Sequence, residues 1–138
     1  MLRYLISAAG AGLGALVLQA CATSEAMAPE PNAEAAAVLA DFERTGETQT
    51  CLNTRRIDTI NPLDERHWLV ETVGGERYLN IVGRGCFGAD TAFTFLSYET
   101  PTSQLCRGEI VRVMDRGTAG GARGSCGLGV YERLSPAE

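Results

Sequence analysis

Hydrophobic and polar positions divide the chain into three stretches of different period. From Tyr4 to Ala20 no charged residue appears, after the basic start Met1-Leu2-Arg3. Further on, Ala35, Val38, Leu39 and Phe42 recur at helical spacing; Asn32 is placed to cap, Glu34 stands in the first turn and Gly46 suits a C′ position. This pattern predicts a short helix over 33–46. From Thr48 the period changes, and Gly, Pro, Asn and Asp punctuate runs of β-branched and aromatic residues. Strands are expected near 50–60, 67–73, 76–83, 91–98, 108–115 and 126–133. Asn61-Pro62-Leu63-Asp64 turns the first into the second, and Gly74-Gly75 makes a tight hairpin between the second and third. Phe93 and Phe95 share one strand face, as do Val111 and Val113 on another strand. The expected fold is all-β, a small antiparallel meander of about six strands closed into a barrel or sandwich over 47–134. One short helix precedes it and a tail, 135–138, follows.

A basic start, an apolar run and a small residue before the break make a secretory signal peptide over 1–20. The ending Leu18-Gln19-Ala20-Cys21 resembles the bacterial lipobox, with Gln19 standing where that pattern prefers a small residue. The resemblance implies that Cys21 takes a thioether-linked diacylglyceryl group and becomes the first residue of the mature chain. The alternative is an uncleaved membrane helix, which needs about 20 apolar residues. Seventeen uncharged residues interrupted by Gly10, Gly12 and Gly14 fit that poorly. Two or more acyl chains, at roughly 0.8 kcal/mol per buried methylene, hold a protein stably on a membrane. Ala22 differs from the Asp that, by resemblance to the Gram-negative sorting rule, retains lipoproteins at the inner membrane. The expected location is therefore the outer membrane facing the periplasm, with soluble periplasmic or secreted protein as the alternative. The implied partners are the membrane and the lipoprotein processing and sorting machinery. Residues 22–31 are small, polar and proline-bearing, and 21–32 read as a lipidated cysteine and flexible tether.

Charge changes the picture only slightly. All twelve basic residues are Arg, and seventeen Asp and Glu leave a formal net charge of −5. That balance argues against a general nucleic-acid binder, which gains affinity from clustered cations. Residues 21–46 carry five acids against Arg44, whereas 47–134 carry eleven acids against ten Arg. The acidity thus belongs mainly to the leader. The 45% hydrophobic fraction excludes wholesale disorder.

Five cysteines sort as one plus four. With Cys21 assigned to lipid, Cys51, Cys86, Cys106 and Cys126 form an even set in an exported chain and read as two disulfides. In a simple meander alternate loops collect at alternate ends. Cys51 opens the first strand and Cys106 precedes the fifth, so both lie at one end; Cys86 follows the third and Cys126 opens the sixth, at the other. The expected pairs are Cys51–Cys106 and Cys86–Cys126, each contributing roughly 3–4 kcal/mol in the chain-entropy model.

Gly83-Arg84-Gly85-Cys86-Phe87-Gly88 satisfies G-x-G-x-x-G, but a dinucleotide site needs a helix next, and Thr91 to Tyr98 reads as strand. The segment is expected to be a glycine-rich loop carrying a disulfide. Arg116 to Gly127 lacks the Gly-Lys-Ser/Thr of a phosphate loop and reads as a mobile hairpin loop. His67 is the only histidine, no Cys-x-x-Cys occurs, and Asp64-Glu65 reads as a solvated turn, so no metal or other cofactor is indicated. A hydrolase would need His67 as the base for a Ser nucleophile, without a G-x-S-x-G elbow to support it. Arg56, Arg77 and Arg84, with Arg55, lie on neighbouring expected strands and are candidates to converge on an anionic ligand. Against this stands cross-strand pairing with Asp58, Glu71 and Glu76. Trp68 and Tyr78 read as packing residues rather than a stacking platform.

Cys51, Arg56-Ile57, Tyr78-Leu79-Asn80, Gly85-Cys86, Leu105-Cys106-Arg107-Gly108-Glu109 and Cys126-Gly127-Leu128-Gly129 together resemble an uncharacterised family of proteobacterial envelope proteins. The resemblance spans roughly Cys51 to Leu134. It implies a periplasmic location and the four-cysteine framework, and carries over no activity, ligand or catalytic residue. The reading is a lipid-anchored, non-catalytic envelope module for interaction or structure. An anion-binding protein and, less favoured, a hydrolase are the alternatives.

Overall fold

The computed structural model describes residues 28–117 and 120–138, so Cys21 and the signal peptide lie outside the described residues. Helix α1 (Ala33–Leu39) starts where Asn32 accepts a hydrogen bond from Ala35 N through its side chain at 2.8 Å. It ends at Leu39, shorter than the helix expected over 33–46. Phe42–Gln49 is instead strand β1, and Gly46 (φ 78°) lies where its register slips against its neighbour, between Arg44 and Thr48. The correction has a clear cause. Only Phe42 of β1 is even partly buried, so no alternation marks it as a strand, and pairing with the end of the chain holds it in place.

The class is all-β and the arrangement is that of a sandwich. Among the described residues ten strands, where about six were expected, follow α1: β1, β2 (Cys51–Asn53), β3 (Ile57–Pro62), β4 (His67–Thr72), β5 (Arg77–Ile81), β6 (Thr94–Tyr98), β7 (Gln104–Cys106), β8 (Ile110–Asp115), β9 (Ala122–Gly127) and β10 (Tyr131–Pro136). They form a five-stranded sheet in the order β1-β10-β5-β4-β3, a three-stranded sheet β6-β8-β9 and a two-stranded ladder β2-β7. All pairings are antiparallel. The meander holds for β3-β4-β5 through the Gly74-Gly75 hairpin, while β10 inserts between β1 and β5.

Both faces of the large sheet are covered. Trp68, Val70, Tyr78 and Tyr131 point to one side, where Trp68 joins Val82, Leu105, Val111 and Val113 in the main core. Leu69, Leu79 and Leu134 point to the other and pack against Leu39 and Phe42 from the N-terminal segment. This double burial removes the two-residue alternation from His67-Trp68-Leu69-Val70, all four buried.

One strand expected over 126–133 is in fact the end of β9 and the start of β10, in different sheets. The break falls at Gly129. The buried Asn80 side chain accepts from Gly129 N at 2.8 Å and donates to Gly129 O at 3.0 Å, and a Cβ at this glycine would overlap the Ile81 carbonyl oxygen. Gly129→Ala is therefore expected to destabilise the fold by about 1–3 kcal/mol, as overpacking does. Gly117→Ala, which meets only open space, is the matched control in urea unfolding and should change little.

Both disulfides form the expected pairs. Cys51 and Cys106 are direct cross-strand partners in β2-β7, with Cα atoms 4.0 Å apart. Cys86 joins Cys126 at a Cα separation of 5.2 Å. The second bond explains the glycine-rich segments on each side of it. A Cβ on Gly85 would strike the Ser125 carbonyl and one on Gly124 the Gly85 carbonyl, so the loop after β5 lies backbone to backbone on β9.

Candidate functional site

β3 is the outer strand of the large sheet and β6 the outer strand of the three-stranded sheet. Residues of both line a cavity of about 580 Å³: Ile57, Ile60 and Pro62 from β3, Phe95, Leu96 and Tyr98 from β6. Ile57, Ile60, Leu96 and Tyr98 also rest on the main core, so the floor of this groove is apolar. Its rim is polar, with Asp58, Asn61, Asp90 and Arg116.

The register fixes which backbone groups face outward. Arg116 N donates to Phe93 O at 2.8 Å and Thr94 is opposite Asp115, so Thr94 turns its own N–H and C=O away from β8. By the alternation of antiparallel ladders Leu96 and Tyr98 do the same. Thr94 is satisfied locally: its N donates to Thr91 O at 3.3 Å and its O accepts from Arg116 Nε at 2.9 Å. Leu96 and Tyr98 have no strand beyond them in their sheet. On β3, Leu63 N donates to His67 O at 2.9 Å, which turns Pro62 and Ile60 outward. Pro62 has no N–H, and the register slip between Ile57 and Thr59 places Asp58 in a bulge. Both features blunt this edge.

The arginines do not converge. Arg56, in the 3-10 turn Thr54–Arg56, is 2.9 Å from Glu76. Arg77 pairs with Glu71 across β5-β4 at 2.6 Å and lies over the Phe42 ring at 5.4 Å. Arg84 is exposed in the loop after β5 and takes part in no ion pair among the described residues. The cross-strand alternative thus describes Arg56 and Arg77. Trp68 and Tyr78 are buried packing residues, and the G-x-G-x-x-G segment leads through turns into β6 with no helix.

Asp64 overturns the solvated-turn reading. It is buried, and its Oδ1 accepts from the N–H groups of Arg66 and His67, each at 2.7 Å. Oδ2 accepts from Asn32 N at 3.0 Å, and His67 Nδ1 lies 3.0 Å from both carboxylate oxygens. Burial pushes this carboxyl up, but the N–H groups of Arg66, Asn32 and His67 and the His67 ring outweigh it and hold Asp64 below its ordinary value. His67 Nε2 is 3.0 Å from the Pro29 carbonyl oxygen, so the nitrogen a general base would offer a nucleophile faces a backbone acceptor. Residues 29–32, expected in the flexible tether, are therefore fastened to the β3-β4 turn. Packed with Leu52, Val70 and Tyr78, the Tyr131 phenol is pushed up by burial, then by the charge of Glu109, which keeps it neutral.

Ile57, Ile60, Leu96 and Tyr98 all fall within expected strands, and no local pattern marks Ile60, Leu96 or Tyr98 as lining a groove. No protein-family model, curated protein or solved structure matches the chain.

Proposed function

We propose that the chain is a bacterial envelope protein, lipid-anchored through Cys21, whose β domain is a non-catalytic interaction module using the β3-β6 groove. Two disulfides suit an oxidising, extracytoplasmic compartment. Among the described residues no helix is long and apolar enough to cross a membrane. The lipobox-like Leu18-Gln19-Ala20-Cys21 supports attachment by lipid, and Ala22 supports the outer membrane facing the periplasm. The resemblance to proteobacterial envelope proteins fits the same place.

The observation that carries the interaction role is the meeting of two outer strands at one apolar-floored cavity. A photo-crosslinking side chain at Asp58 or Phe95 of the anchored chain, irradiated in cells, is expected to give a discrete adduct. The same group at Glu47, on the opposite edge of the large sheet, should not. Intact mass should show the adduct's chain beginning at acylated Cys21. Equal crosslinking from all three positions would overturn the groove, and a soluble chain beginning elsewhere would overturn the anchor.

A further inference from the structure

We propose that the groove takes an extended segment of a partner protein, rich in alternating apolar and basic residues, which adds as a strand to β6. The inference rests on the groove reading above and names the partner's chemistry. Backbone geometry supplies the first half of the argument. Leu96 and Tyr98 turn two N–H and two C=O groups toward the side of β6 that carries no strand. An added strand satisfies those groups while its alternate side chains reach the apolar floor at Ile57 and Ile60. The open stretch is short, because Arg116 already occupies the Thr94 carbonyl. The facing edge of β3 is less receptive, since Pro62 lacks a donor and Asp58 sits in a bulge. The segment therefore pairs with β6 and lies against β3.

Charge supplies the second half. Asp58 and Asp90 are exposed on the rim and belong to no ion pair among the described residues. Asp90 also borders a neighbouring cavity of about 410 Å³, which adds the carboxylates of Glu30 and Glu65 to the same side. The two rim arginines keep their charge while Arg116 Nε donates to Thr94 O and Arg66 Nε, in the second cavity, to Val82 O at 2.7 Å, but Asp58, Asp90, Glu30 and Glu65 outnumber them. A segment with Lys or Arg at alternate positions complements this rim, whereas an acidic one is repelled.

The test uses the mature, lipidated chain in detergent and three capped synthetic nonapeptides. One alternates Val and Lys, one alternates Val and Glu, and the third is the Val-Lys peptide N-methylated at alternate residues. Hydrogen exchange of the Leu96 and Tyr98 amides is the readout. The Val-Lys peptide is expected to slow exchange at both amides about tenfold or more, with the Val-Glu peptide binding about tenfold more weakly. The N-methylated peptide should give no protection. D58K/D90K should abolish the preference for Lys while keeping the domain folded, since both side chains are exposed. Equal protection by the Val-Lys and Val-Glu peptides would overturn the basic-partner inference and leave the groove standing. Absence of protection by every peptide, or protection that rises with protein concentration alone as in pairing with a second copy, would overturn the groove reading itself.

Discussion

Replacing Cys86 and Cys126 together by Ala is expected to cost about 4–5 kcal/mol and to bring the domain to the margin of stability. The bond spans 40 residues, and the chain-entropy model assigns a loop of that length about 4 kcal/mol. Both sulfurs are buried in the main core beside Val111 and Val113, so their loss also opens a cavity, adding on the order of 1 kcal/mol. Small domains have only about 5–15 kcal/mol in total. The other disulfide provides the comparison. Its 55-residue span gives a similar entropic value, but Cys51 and Cys106 are half-buried on a three-residue ladder, so C51A/C106A leaves no core cavity. It should therefore cost about 1 kcal/mol less. The two losses do not add, because Cys86 lies inside the loop that Cys51 and Cys106 close. Urea unfolding of the two double variants measures the difference. Equal midpoints would show that the core packing of the second bond contributes nothing.

How far the sequence reveals the fold depends on where its physical signal lies. The class was legible in the strand pattern, and the two disulfides in an even set of four cysteines. The pairs match the expectation, but the simple meander it rests on holds only for β3-β4-β5, and Cys51 and Cys106 face each other on the separate β2-β7 ladder. β1 was not legible: Glu43, Arg44, Thr45 and Glu47 are all exposed, and the strand exists through its ladder with β10 and the Arg44–Glu132 ion pair. The division of 126–133 was hidden for a different reason. Gly129 is required by contact with Asn80 and Ile81, 49 and 48 residues away in the chain, and nothing local marks it. The groove shows the same limit. Leu96 and Tyr98 read correctly as strand residues, yet whether a strand is outermost is a property of sheet order. The arginine cluster failed in the opposite direction, since proximity of strands suggested convergence. In the structure Arg77 is on the face that carries Glu71, and Arg56 leaves its strand for a turn beside Glu76.

Asp64→Ala is expected to destabilise the domain by about 3 kcal/mol, although the residue sits in a turn. Its carboxylate accepts from three backbone N–H groups and the His67 ring, and hydrogen bonds to a charged group contribute roughly 1.5–3 kcal/mol where their partners are left buried. The loss reaches beyond the turn. Asn32 N, one of those donors, belongs to the residue that caps α1, and His67 also holds Pro29 through Nε2. Removing the carboxylate therefore loosens the entry of the chain into the domain together with the β3-β4 turn. Acid should do the same in the unsubstituted protein. Asp64 is held below its ordinary value in the folded state, so the stability it contributes is complete above the unfolded value, near 3.8, and is lost as pH falls through the lower folded value. The gap in unfolding free energy between the native chain and D64A should thus be present at about pH 5 and close progressively below 4. Urea titrations across that range read it directly. A gap unchanged at pH 2–3 would mean that Asp64 acts through its shape and not its charge.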